Sequence, residues 1–325
     1  MDGVRAIMVT DLHCHYFPAS AMDGVVSSIE VAANAKGYGF ASRAMSMQLD
    51  AGLLNLEMQV ADMGRQGVTR RALCTPPFTF QYELPAAEGV AWSRAINDGL
   101  ASAISEHPEQ FVGFATVPMQ DVSAAVAELE RTLDTLGFAG VEIASNINGV
   151  ELDGETLEPF WELAAARRIP ILIHPHYIAG PDRMGSYYFR NLLGNPVETA
   201  LAGARLLFGG VLERHPELTV VLSHGGGALT HLIGRLEHGY GVRPEARLRA
   251  SDPVAMLRRL YYDTIVFDSG VLRHIVETVG ASQVVLGTDY PFDMGEPDPV
   301  AFVRKAGLTD DDVATILGNG ERLLG

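Results

Sequence analysis

Short apolar runs separated by longer amphipathic stretches dominate the pattern along this chain. The runs are Ala6–Asp11, Val68–Thr75, Phe111–Thr116, Ala139–Ile143, Pro170–His174, Leu218–His224, Leu260–Thr264 and Val284–Asp289. Most are apolar at nearly every position, as strands buried on both faces of a parallel sheet are. Between them, apolar residues recur at helical spacing. Val122–Leu136 and Leu157–Arg168 read this way. So does a helix opened by Asn195-Pro196-Val197-Glu198, with Asn195 as cap and Pro196 in the first turn. Its apolar stripe is Val197, Ala200, Leu201, Ala204, Leu207, Phe208, Val211 and Leu212, and it should stop near Arg214-His215-Pro216. Eight strands alternating with helices predict an α/β fold, a TIM-like (β/α)8 barrel, as a single domain over residues 1–325. A doubly wound open sheet has the same strand count. Two segments exceed ordinary connections: Tyr16 to about Asn55, and Tyr177–Gly194. These insertions after strands 1 and 5 fall on the face where barrel active sites form.

Composition narrows the function. The 24 basic and 40 acidic residues give a formal charge of −16, which argues against nucleic-acid binding. An anionic small molecule stays possible, because a pocket can be locally positive on an acidic protein. With Cys14 and Cys74 as its two cysteines, the chain is no disulfide scaffold and fits a reducing compartment. No secretion signal and no run of about 18 apolar residues is present. The expectation is a soluble cytoplasmic protein without a membrane partner.

Polar residues cap the apolar runs. The first ends Asp11-Leu12-His13-Cys14-His15, and in an extended segment residues two apart point the same way, so His13 and His15 face one point. Neutral imidazole suits zinc and related divalent metals. The fifth run ends in His174, the sixth in Ser223-His224 followed by three glycines, and the eighth in Thr288-Asp289. One such histidine is ordinarily a satisfied core residue. Four strand ends carrying His or Asp at one barrel mouth point to a metal site.

This constellation resembles the decarboxylase branch of the amidohydrolase superfamily, typified by aminocarboxymuconate semialdehyde decarboxylase. The similar stretches are Asp11–Pro18, Ile171–Pro175, Ser223–Gly227, Gly234-Arg235 and Gly287–Phe292. The resemblance implies His13, His15, His174 and Asp289 as metal ligands and His224 as the group that works on water or substrate, with Asp289 also catalytic. It implies Arg235 and Arg243 near the substrate, one arginine of the family reaching across a dimer interface, and Phe292 lining the pocket. Arg43 is the arginine available in the first insertion. The hydrolytic branch often has a carbamylated lysine closing strand 4. Here strand 4 reads Val141-Glu142-Ile143-Ala144-Ser145, and the chain's two lysines, Lys36 and Lys305, lie elsewhere. One divalent ion is therefore expected, zinc first on the three-imidazole count and manganese second.

The activity implied is decarboxylation of an unsaturated or aromatic carboxylic acid by a homodimer or higher homo-oligomer. A hydrolase or hydratase of the same superfamily is the alternative, and a non-enzymatic metal-binding protein a third. Gly225-Gly226-Gly227 reads as a tight turn and not as a phosphate cradle. His176 is a pocket residue at best, and His107 and His215 are surface helix ends. Cys14, between two ligands, should face away from them, while Cys74 packs near the pocket floor. Tyr187, Tyr188 and Phe189 either wall the pocket or pack the insertion.

Overall fold

The computed structural model describes residues 8–325. Eight parallel strands form one sheet: β1 (Thr10–His15), β2 (Arg70–Cys74), β3 (Phe111–Ala115), β4 (Gly140–Ala144), β5 (Pro170–His174), β6 (Thr219–Leu222), β7 (Tyr261–Asp263) and β8 (Val284–Val285). The order around the sheet is the order along the chain. Closure comes from β1 meeting the segment after β8. Leu12 N–H donates to the Leu286 carbonyl at 3.0 Å and His15 N–H to that of Tyr290 at 2.7 Å, and Cys14 bridges Tyr290 in parallel. This excludes the open doubly wound sheet and leaves the barrel. Of the first predicted strand, Ala6 and Ile7 lie outside the described residues. The observed strand runs further than Asp11, through His13 and His15, with a register shift between Asp11 and Cys14.

Helices alternate with the strands. Four of the longer ones open on a side chain that accepts a backbone N–H of the first turn: Asn55 before α1 (Leu56–Gln66), Asp121 before α3 (Val122–Thr135), Asp268 before α7 (Ser269–Val279) and Thr309 before α8 (Asp310–Leu324). Between α1 and α3 runs α2 (Ala86–Ile104); α4 is Glu158–Arg167, α5 Asn195–Phe208 and α6 Ile233–Val242. Asn195 is not a cap. It has helical angles, because the chain is already coiled through Arg190–Gly194 before it. The helix ends at Gly209 and restarts after Gly210, whose φ of +69° breaks it, as a short turn over Val211–Arg214.

The barrel interior is an apolar layer of Leu12, Ala72, Cys74, Val112, Phe114, Leu172, Val221 and Val285. Strand β4 brings Glu142 in register with Leu172 of this layer. The outer core sandwiches Trp92, Ile96, Phe160, Trp161, Leu206 and Ile316 between strands and helices. The first insertion folds into a three-stranded antiparallel sheet, Glu30–Asn34, Gly37–Ala41 and Ser46–Gln48. Both insertions sit at the strand C-terminal ends, as predicted. No helix among the described residues is long and apolar enough to cross a membrane.

Candidate metal centre and active site

The carboxyl ends of β1, β5 and β8 converge on one point. One ligand atom from each of His13, His15, His174 and Asp289 lies within 4.8 Å of the others, and all four residues are buried. The imidazole centroids of His13, His15 and His174 are 5.0–5.3 Å apart with the planes crossed.

Each of these imidazoles has its Nδ1 tied to a protein acceptor. His13 Nδ1 is 2.7 Å from Asp263 Oδ2, His15 Nδ1 is 3.1 Å from the Thr75 carbonyl, and His174 Nδ1 is 3.1 Å from the Pro175 carbonyl. An Nδ1–H donated in this way leaves the Nε2 lone pair free, the tautomer a metal ligand needs. The Nε2 atoms of His13 and His174 are buried and make no hydrogen bond. Buried polar atoms ordinarily find a partner, so these orphans and the adjacent carboxylate are the donor set a divalent cation fits.

Asp289 completes the set. Its Oδ1 lies 3.5 Å from His13 Nε2 and 3.1 Å from His15 Nε2, and its Oδ2 lies 3.4 Å from His224 Nε2. Burial opposes the Asp289 charge, but the His13, His15 and His224 imidazoles crowded around its two oxygens hold the carboxyl well below the usual range. Burial likewise opposes charge on His13, yet the bond to Asp263 and the nearby Asp289 carboxylate carry it up to about 10. The two carboxylates beside His13 thus call for positive charge at this point, which a cation on Nε2 supplies. His15 and His174 go the other way, pushed down first by burial.

Backbone geometry is unusual at two of these positions. His224 and Asp289 both have left-handed φ, +54° and +56°, a conformation that costs a non-glycine residue energy and recurs at functional sites. Asp263 holds the first turn: its two oxygens accept the backbone N–H groups of His224 at 2.9 Å and Gly225 at 2.8 Å. The glycines permit it, since a Cβ on Gly227 would sit 1.9 Å from the Pro196 carbonyl oxygen. The His13 carbonyl accepts the Asp289 N–H at 2.8 Å, so β1 and the loop after β8 are tied directly.

A cavity of about 310 Å³ opens beside the cluster. His224, Asp289, Asn191 and Asn195 form its polar wall, and Ile265, Val266, Phe267, Val271, Leu192 and Met294 its apolar one. Phe292 stacks at a tilt 5.2 Å from His15. The structure does not bring the three predicted arginines to this point within one chain. Arg235 is exposed on α6. Arg243 caps that helix and pairs in solvent with Glu245. Arg43 is exposed in the turn between two insertion strands and does not line this cavity. His176 packs against Tyr177 and Phe80. His215 is buried rather than a surface helix end, because Glu158 binds its Nε2 at 2.7 Å.

The chain matches the amidohydrolase family model over residues 10–325. This chain belongs to the amidohydrolase family. It is 34% identical over 259 residues to 2-amino-3-carboxymuconate-6-semialdehyde decarboxylase of Dictyostelium discoideum, an alignment covering 79% of this chain and 72% of that one. The fold superposes on 5-carboxyvanillate decarboxylase from Sphingomonas paucimobilis with a TM-score of 0.83 at 22% identity, covering 98% and 99% of the two chains. It also superposes on dihydroxybenzoic acid decarboxylase from Polaromonas, determined with bound manganese and 2-nitroresorcinol, with a TM-score of 0.78 at 21% identity and 97% and 96% coverage.

Two residues beside the amidohydrolase site are absent from the set that the sequence singled out. Asp263 closes β7 just as His174 closes β5, and an acid ending an apolar run was the available signal. Glu142, midway along β4, is fully buried with both carboxyl oxygens unbonded.

Proposed function

We propose that this amidohydrolase is a metal-dependent decarboxylase of an unsaturated or aromatic carboxylic acid. The observation that carries the reading is the set of three imidazoles, each with Nδ1 anchored, gathered with Asp289 at one point beside His224 at the wall of an apolar cavity. The decarboxylase names of the relatives support it over hydrolysis. His13, His15, His174 and Asp289 would hold one divalent ion; zinc suits the three imidazoles, and the manganese of the Polaromonas neighbour makes that metal the second choice. When bound, such an ion polarises a substrate oxygen and lowers the pKa of water.

The chain's own residues supply the rest. The apolar wall from Leu192 to Met294 takes the unsaturated body of the substrate. His224 Nε2, fixed by the Asp263-bound turn, delivers a proton to the carbon that bears the carboxylate. The carbon–carboxylate bond then breaks, its electron pair restores the unsaturated system, and carbon dioxide leaves. Asp289 Oδ2, at 3.4 Å, orients His224 for that transfer. As a homodimer in the cytoplasm, the protein would present the exposed Arg235 or Arg243 to its partner's cavity mouth, where a planar guanidinium suits a carboxylate.

The test is elemental analysis of purified protein, then carbon dioxide release from aromatic and unsaturated acids by zinc- and manganese-loaded samples. Stoichiometric metal with carbon dioxide production supports the proposal. Metal with water addition to lactones or amides and no carbon dioxide replaces it by the hydrolase.

A further inference from the structure

The helical turn Arg190–Gly194 stands between two cavities. One is the cavity of His224 and Asp289. The other, about 570 Å³, lies between the two insertions; Gln81, Glu83, His176, Tyr177 and Arg190 are on its wall. Asn191 and Asn195 line both, so the cavities adjoin across these two side chains. Pro175 and His176, on the second cavity's wall, directly follow the candidate ligand His174.

Arg190 is the one lysine or arginine on the wall of either cavity among the described residues. Glu83, the sole carboxylate on that wall, accepts the Tyr177 hydroxyl at 2.6 Å. The segment that delivers Arg190 is held in an uncommon shape, with Tyr187 and Tyr188 both left-handed at φ +57° and +60°. On a chain of charge −16, an anion reaching these cavities needs a local cation to offset the surrounding repulsion. Arginine offers a planar fork matched to a carboxylate.

We infer that Arg190 is a specificity-determining residue: it binds a second carboxylate on the substrate, remote from the one that is lost, and so selects dicarboxylates over monocarboxylates. The inference rests on the decarboxylase reading for which carboxylate departs, but its binding test does not need turnover.

The probes are benzoate, isophthalate and terephthalate, titrated calorimetrically into metal-loaded parent, Arg190→Ala and Arg190→Lys proteins. The parent should bind at least one diacid about 10-fold or more tighter than benzoate, the scale of a charge-assisted pair. Arg190→Ala should remove that preference while leaving benzoate affinity unchanged, and Arg190→Lys should restore part of it. Arg190 is exposed, so thermal unfolding of both variants should match the parent. No diacid preference in the parent, or a preference retained in Arg190→Ala, overturns the inference. A preference lost in Arg190→Ala from a protein that releases no carbon dioxide from any acid supports Arg190 as a carboxylate site and overturns the decarboxylase reading instead.

Discussion

His13 Nδ1 and Asp263 Oδ2 lie 2.7 Å apart, both fully buried. This contact joins two parts of the site through one carboxylate, since Asp263 also fixes the backbone of His224 and Gly225. The candidate ligand and the candidate acid therefore share a single orienting group. Carboxylates behind ligating histidines typically contribute 10- to 100-fold in metal affinity. Asp263→Ala should weaken zinc binding by about that factor in a competition titration with a chelator. Unchanged affinity would separate Asp263 from the ligands and leave it only the His224 turn.

The candidate ligands and the candidate acid are distinguishable by what their loss removes. A His13→Ala, His15→Ala double variant should lose stoichiometric metal and activity together. His224→Asn should retain the metal and lose about two to four orders of magnitude in kcat, the usual contribution of a positioned acid. Metal content by elemental analysis, read beside kcat on the best acid found, checks both. Loss of metal in His224→Asn would make His224 a ligand.

Much of this was legible in the sequence because barrel strands are apolar almost throughout. A polar residue ending such a run is conspicuous, which is why His13, His15, His174, His224 and Asp289 stand out. Glu142 was visible too, but only as a residue that is not lysine. Its place in the interior layer depends on register with Leu172, which spacing does not give. The arginines were the hardest to place. Whether Arg235 on α6 reaches a substrate depends on helix rotation and on what faces that helix, and neither is written in local periodicity. Asn195 misled for a similar reason: its cap chemistry is sound, but the insertion ahead of it was already helical.

Asp11 and Arg71 form a buried ion pair at 3.2 Å, both side chains fully inaccessible. Asp11 also accepts the Thr288 hydroxyl at 2.6 Å, one residue before Asp289, and Arg71 lies over the Tyr290 ring, 4.2 Å from its centroid. The pair thus clamps β1, β2 and the segment after β8 where the barrel closes. Arg71→Met leaves Asp11 buried without its cation, and should cost about 3–5 kcal/mol in urea unfolding. A loss below about 1 kcal/mol, the scale of an exposed pair, would show that the clamp is not what holds this seam.

Glu142 sets a pH dependence of stability. Burial among Leu172, Cys74 and their neighbours pushes its carboxyl well above the usual range, so the folded chain keeps the proton that the unfolded chain gives up. A raised carboxyl value makes the folded state lose stability as pH rises above the unfolded carboxylate value of about 4.3. Below that value both states are protonated and the penalty is absent. Glu142→Gln keeps the shape and removes the titration, so it should raise Tm at pH 7–8, with the gain shrinking toward zero near pH 4. Thermal unfolding of parent and variant across that range checks the sign. A Tm difference independent of pH would mean that Glu142 carries the same charge in both states, and its two unbonded oxygens would then call for a bound cation rather than a proton.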